Sequence, residues 1–216
     1  MKHYSNLPIE EKGNVLTHLL GFVGSLCGVL WLIHHIVRVP DRVFLALGLY
    51  GFSLLFLFAA STLYHAAALN QKSFWQKVDH IAIYILIAGT YTPVGLTVLY
   101  EKSGPLLLGI VWGLALIGFF YKLFFINRWQ GFSLFLYLVM GWLVVFQFST
   151  VWEVFSGQAL LYLALGGFFY TFGVVFYRWH QMRFHHVIWH LFVLLGAFFH
   201  FVMVVTLLSH AGYLQL

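Results

Sequence analysis

Seven apolar runs, each long enough to cross a bilayer, follow one another along this chain with only short polar breaks between them. A spanning helix needs about 20 mainly apolar residues, because the hydrocarbon core is about 30 Å thick and a helix rises about 1.5 Å per residue. The runs cover roughly 15–37, 43–68, 80–100, 105–126, 131–151, 158–177 and 186–209. In lipid, each backbone N–H and C=O must be satisfied within the protein, so runs of this length fold as helices. The expectation is an all-α, polytopic membrane protein with one seven-helix transmembrane domain over residues 1–216. Composition agrees: 62% of residues are hydrophobic and 8% charged, where soluble domains carry about 25% charged residues. The breaks RVPDR (38–42), NQKSFWQKVD (70–79), EKSGP (101–105), NRWQG (127–131), WEVFSG (152–157) and YRWHQMRFH (177–185) leave no room for a second domain. The first run is too long for a signal-peptide core and lacks a small-residue cleavage site, so it reads as a retained span.

The formal net charge is +5, but the basic residues are scattered over the breaks rather than clustered, which speaks for topology and against nucleic acid. Lys2, Lys12, Lys72, Lys77, Lys122, Arg128, Arg178 and Arg183 fall at one set of span ends. Arg38, Arg42 and Lys102 fall at the other. Cytoplasmic loops carry the excess of Lys and Arg, so the N-terminus is expected in the cytoplasm and the C-terminus outside. The setting would be the cell membrane. Gly24/Gly28 and Gly109-x3-Gly113 suggest close helix packing. The lone cysteine, Cys27, offers neither a disulfide framework nor a thiolate metal site.

An ionisable residue inside a span is expensive and is by default a functional hypothesis. With the expected orientation, such residues gather at the cytoplasmic ends of four spans. His65 ends the second, Asp79 and His80 open the third, and His185, His186 and His190 open the seventh. Glu11, Asn14 and His18, spaced i, i+3, i+7, share one face at the start of the first. His186 and His190, four apart, also share a face. His65, His186 and His190 together make a three-nitrogen set suited to catalytic zinc, which takes three protein ligands and leaves one position for water. Zn2+ brings the pKa of that water toward about 7. Asp79 could hold or deprotonate the water, orient an imidazole, or simply pair with Lys77. Ser61, one turn before His65, could hydrogen-bond the water or a substrate oxyanion. His18 suits a supporting or helix-bonding role. His200, ten residues beyond His190 and about 15 Å deeper, is too far to join the same ligand set and could line an internal cavity.

These motifs carry a family resemblance. Glu11-x2-Asn14-x3-His18, Ser61-x3-His65 with Asp79-His80 and AGTYTP (88–93), and His186-x3-His190-x9-His200 together resemble the hemolysin III branch of the progestin and adiponectin receptor (PAQR) family. That family is related to the alkaline ceramidase-like membrane hydrolases. The resemblance covers nearly the whole chain. It implies seven helices, a cytoplasmic N-terminus and zinc on His65, His186 and His190, with Asp79 and Ser61 near the metal. It implies hydrolysis of a lipid or amide, and hence membrane lipids and a lipid-like substrate as partners. The chain carries no long N-terminal extension of the kind found in the eukaryotic receptors, which argues against a hormone-receptor role.

Three functions follow from this reading. The first is a zinc-dependent hydrolase-like protein serving membrane lipid homeostasis. The second is a non-enzymatic lipid sensor with structural zinc. The third is a channel or cytolysin, which would need a polar path through the bilayer. Spans four to six offer few polar residues, and Tyr137, Gln147 and Tyr170 stand isolated among them.

Overall fold

A computed structural model describes residues 7–126, 128 and 130–215; Lys2, counted above for topology, lies outside them. Among the described residues the regular structure is helical apart from one isolated bridge between Ile36 and Leu214. The helices are α1 (Ile9–His35), α2 (Asp41–Ala66), α3 (Leu69–Leu96), α4 (Gly104–Phe125), α5 (Gln130–Trp142), α6 (Phe148–Val154), α7 (Gly157–Arg178) and α8 (His185–His210). Residues Leu143–Gln147 between α5 and α6 form a 3-10 turn.

Six helical stretches are long and apolar enough to cross a membrane by length and composition: Ile9–His35, Asp41–Ala66, Gly104–Phe125, Gly131–Val154, Gly157–Arg178 and His185–His210. Large apolar side chains cover the outer faces, with Phe44 69%, Phe124 68% and Phe146 84% exposed. Outward apolar surface on this scale is what a lipid solvent rewards and water does not. The chain is a multi-pass membrane protein.

The remaining long helix, α3, departs from the sequence expectation. The polar stretch NQKSFWQKVD, read there as a loop, is helical throughout, and α3 begins at Leu69. The stretch holds no Gly or Pro, and its residues have ordinary helix propensities, so polarity alone does not break the helix. With its polar start and the AGTYTP segment, α3 is not among the six apolar stretches. The fifth expected span departs too, because it is interrupted at 143–147. Tyr91 of α3 repairs that break: its hydroxyl donates to the Gly141 carbonyl at 2.9 Å and accepts from the Val144 N–H at 3.0 Å. Both backbone groups would otherwise be orphaned.

Helix α8 packs against α7 on one side and α1 on the other, α1 packs on α2, α2 on α3, and α3 on α4. Glycine notches permit several of these approaches. Of the glycines expected from spacing, Gly28 alone is such a notch. Nothing lies within 4 Å of where a Cβ would stand at Gly24, Gly109 or Gly113, whereas at Gly28 it would stand 3.0 Å from the Phe201 ring. The tight positions are elsewhere, for example Gly21 under Phe58, Gly89 under Ser53 and Gly118 under Tyr84. Spacing on a helix does not reveal which face meets protein and which meets lipid.

Helix α8 starts sharply. Phe184 adopts φ 60°, ψ 16°, a left-handed conformation uncommon for a non-glycine residue. Its N–H donates to Glu10 Oε1 at 3.0 Å. That bond ties the first turn of α1 to the first turn of α8 and brings the two helix starts into one layer.

Candidate metal centre

His65, at the end of α2, and His186 and His190, in the first turns of α8, converge. One ring nitrogen from each lies within 4.8 Å of the others. The ring centroids of His65 stand 5.1 Å from His186 and 4.9 Å from His190, and those of His186 and His190 stand 4.7 Å apart. His65 is 3% and His190 2% exposed.

Hydrogen bonds fix which nitrogen faces the cluster. His65 Nδ1 lies 2.7 Å from Glu11 Oε2. A carboxylate only accepts, so Nδ1 carries a proton and donates, and Nε2 is the nitrogen that a neutral ring offers as a ligand. That Nε2 is buried without a hydrogen-bond partner. His190 Nδ1 lies 3.1 Å from Thr17 Oγ1. The single Thr17 hydroxyl proton is directed to the carbonyls of Gly13 at 2.9 Å and Asn14 at 3.0 Å. Thr17 therefore accepts from His190 Nδ1–H, and His190 Nε2 is also the lone-pair nitrogen. Metal-ligating histidines are held this way, with the second ring N–H given to a carboxylate or other acceptor.

The donor set fits zinc. Three imidazoles without a thiolate, two of them buried and His186 half-buried, match open zinc sites rather than closed ones. A buried imidazole nitrogen with a lone pair and no donor is an unmet polar group, and a cation meets it. Nitrogens sharing a zinc at about 2.0–2.1 Å stand roughly 3.4 Å apart, so side-chain torsion is enough to draw the three rings onto one ion.

His18 lies within the site but is not among the three that converge. Its ring stacks on His190 at 3.5 Å and 16°, and Phe58 meets its other side edge-on at 5.2 Å. His18 is 4% exposed, and neither ring nitrogen has a partner. It walls the His190 ring. Asn14 is buried one turn earlier with Oδ1 unpartnered. Asp79 at the start of the apolar part of α3 is within electrostatic reach of His18, His65 and His186. Its Oδ2 lies 3.4 Å from His80 Nδ1, and among the described residues it makes no ion pair with Lys77. Ser61 is buried on the face of α2 that carries His65. His200 lies apart, its ring filling the notch left by Gly166 and 5.5 Å from the Tyr170 ring.

Two residues of the site escaped the sequence reading. In the sequence Lys72 reads only as a topology charge. Its ammonium lies 3.6 Å from Glu11 Oε1, 3.4 Å from the His65 carbonyl and 4.6 Å from the centre of the Tyr64 ring. Thr17 was overlooked because a threonine in an apolar helix normally bonds its own backbone. The signal available was its position three residues after Asn14, on the same face. Tyr137, read as isolated, donates to the His80 carbonyl at 2.8 Å.

The fold and the site thus define a class: a polytopic membrane bundle with a buried histidine triad capable of holding a metal. The chain matches the family described as Haemolysin-III related over residues 7–201. It is 40% identical over 190 residues to the hemolysin-3 homolog of Bacillus subtilis (strain 168), covering 87% of this chain and 89% of the relative. It is 37% identical over 190 residues to hemolysin-3 of Bacillus cereus, covering 87% of each. The human monocyte to macrophage differentiation factor is 30% identical over 205 residues, 89% of this chain and 82% of the relative. The protein belongs to the Haemolysin-III related family, in the hemolysin III branch of the PAQR proteins.

Proposed function

We propose that this protein is a seven-span, zinc-dependent hydrolase of a lipid amide, with α3 as the seventh span and the histidine triad on the cytoplasmic side. The observation that carries the reading is the orientation of His65 and His190, whose Nδ1 protons are engaged by Glu11 and Thr17 so that both Nε2 lone pairs remain for a metal. A purely packing role for these rings does not call for that arrangement. His65, His186 and His190 would hold the ion. Zinc, when bound, supplies Lewis acidity that polarises a carbonyl and acidifies water. Asp79 would accept the proton of the attacking water and pass it to the leaving amine. Ser61 would donate its O–H to the substrate carbonyl oxygen as negative charge develops there. The apolar outer faces bring the acyl chains of a membrane lipid to the site by lateral diffusion.

The test is metal content and lipid-amide turnover of purified protein. His65→Ala and His190→Ala should lose both. Retention of zinc and turnover by both variants overturns the reading.

A second reading has its own supporting observation. The triad joins α2 to α8, the two helices that flank α1, so zinc could serve as a clasp in a non-enzymatic lipid sensor. In that case chelation lowers the melting temperature and Asp79→Asn spares function. The name of the Bacillus cereus relative, hemolysin-3, raises a pore-forming role. The middle of this bundle is filled by Tyr50, Leu54, Leu57 and Phe58, each under 5% exposed, which favours the hydrolase over a pore. Ion flux through reconstituted protein that persists without the three histidines would reverse that preference.

A further inference from the structure

Histidines continue outward from the triad. His65 and His190 are buried, whereas His186 is half-buried, so the triad reaches the surface through His186. His185 is half-buried beside it, with ring centres 5.9 Å apart. His180 is exposed in the turn between α7 and α8, and its ring centre stands 5.2 Å from that of His185 at 86°. Four rings thus run from the surface inward, His180, His185, His186 and His190, in steps of 5.2, 5.9 and 4.7 Å. The turn that carries the outer two is tied down. The Met182 N–H donates to the Trp179 carbonyl at 3.0 Å, and the His185 N–H to the Met182 carbonyl at 3.2 Å. His185 Nδ1 lies 3.1 Å from the Phe176 carbonyl oxygen. A carbonyl only accepts, so Nδ1–H donates and Nε2 is the nitrogen that His185 offers as a ligand. His65 and His190 are held in the same way.

A zinc ion about 2.0–2.1 Å from a ring nitrogen stands about 3 Å from the ring centre, so two rings that share it have centres within about 6 Å. Each step of the series meets that limit, and the outermost, at 5.2 Å, is close to the 4.7–5.1 Å spacings inside the triad. A divalent ion that leaves water for a buried site must shed its hydration shell, which is costly when nothing replaces it. Imidazoles placed in series replace the waters a few at a time. We propose that His180 and His185 form an entry site for the zinc ion, from which it passes by way of His186 to the triad. This role presupposes the metal centre proposed above. Two ligands hold an ion weakly, which suits a site that must give it up, and the third ligand makes the triad the deeper well. A series of this kind lowers the barrier in both directions, so it sets the rates of uptake and release and not the final affinity.

The test follows Co2+ into the full-length, metal-free protein in detergent by stopped flow, with the visible absorption of the four-coordinate ion reporting arrival at the triad. His180→Gln combined with His185→Gln should slow uptake about tenfold or more, as expected when the barrier rises by a lost ligand contact. Release to an excess of chelator should slow by the same factor. Affinity, taken from competition with a chromophoric chelator, should stay unchanged. His180→Gln alone, a change on an exposed turn, should slow both rates by a smaller factor, and it carries the test by itself where His185→Gln disturbs the start of α8. His210→Gln removes an exposed histidine at the far end of α8 and should change neither rate. Wild-type rates in both His180→Gln and the double variant, or a fall in affinity without slower uptake, overturn the entry site and leave the triad standing. Wild-type protein that takes up neither Co2+ nor zinc overturns the metal centre and the entry site with it.

Discussion

Glu11 Oε2 stands 2.7 Å from His65 Nδ1, joining residues 54 positions apart on α1 and α2. The bond decides more than the position of a side chain. It selects the His65 tautomer, turns Nε2 toward His186 and His190, and adds electron density to the ring. Thr17 does the same for His190 with a neutral acceptor. Helix α1 supplies no member of the triad but orients two of the three.

Glu11→Gln is therefore expected to lower zinc affinity about 10–100-fold, the usual effect of removing such a supporting carboxylate. Competition with a chromophoric chelator measures it. Lys72→Met should have a smaller effect, since the Lys72–Glu11 pair at 3.6 Å is only partly shielded and exposed pairs contribute about 0–1 kcal/mol. If Glu11→Gln binds zinc like the wild type, Glu11 is only the partner of Lys72.

Thr17→Val keeps the shape of the side chain and removes the acceptor. The His190 Nδ1–H would lose its side-chain acceptor and keep only the backbone of Asn14 as a partner, at a cost of about 0.5–1.5 kcal/mol. Zinc affinity and melting temperature should both fall, and Thr17→Ser should restore them. Rescue by serine separates the hydrogen bond from packing.

Asp79→Asn distinguishes the hydrolase from the sensor. Asp79 is not one of the three converging ligands, so zinc should stay bound near wild-type stoichiometry. Turnover of a lipid amide should fall about 10²–10⁴-fold, the usual contribution of a positioned proton acceptor. Full turnover in Asp79→Asn would remove Asp79 from the chemistry.

The sequence carried the helical class, most helix limits and the triad, because each rests on a signal local to one helix. Length and apolarity mark a span, and i, i+4 spacing puts His186 and His190 on one face. Loop charge then brought His65 to the same end. Three things were not legible. The start of α3 at Leu69 was hidden because a polar helix and a polar loop have similar composition. Thr17 and Lys72 were hidden because their partners come from other helices: Thr17 of α1 meets His190 of α8, and Lys72 of α3 meets Glu11 of α1. The glycine notches were hidden for the same reason, since Gly109 and Gly21 look alike in sequence while one meets open space and the other meets Phe58.

That last contrast is testable. A Cβ at Gly21 would stand 2.5 Å from Phe58 Cδ1 and 2.7 Å from Leu194 Cδ2. Phe58 must move, and it is the ring that abuts His18, which in turn stacks on His190. Overpacking of this kind costs about 1–3 kcal/mol. Gly21→Ala is thus expected to lower the melting temperature and also to loosen zinc, because the wall behind His190 shifts. At Gly109 a Cβ meets nothing within 4 Å. Gly109→Ala should leave zinc affinity unchanged and hold or raise the melting temperature, since alanine favours the helix by up to about 1 kcal/mol over glycine. Paired thermal melts and zinc titrations of the two variants check this. Equal effects at both positions would mean that Phe58 does not transmit packing strain to the histidine site.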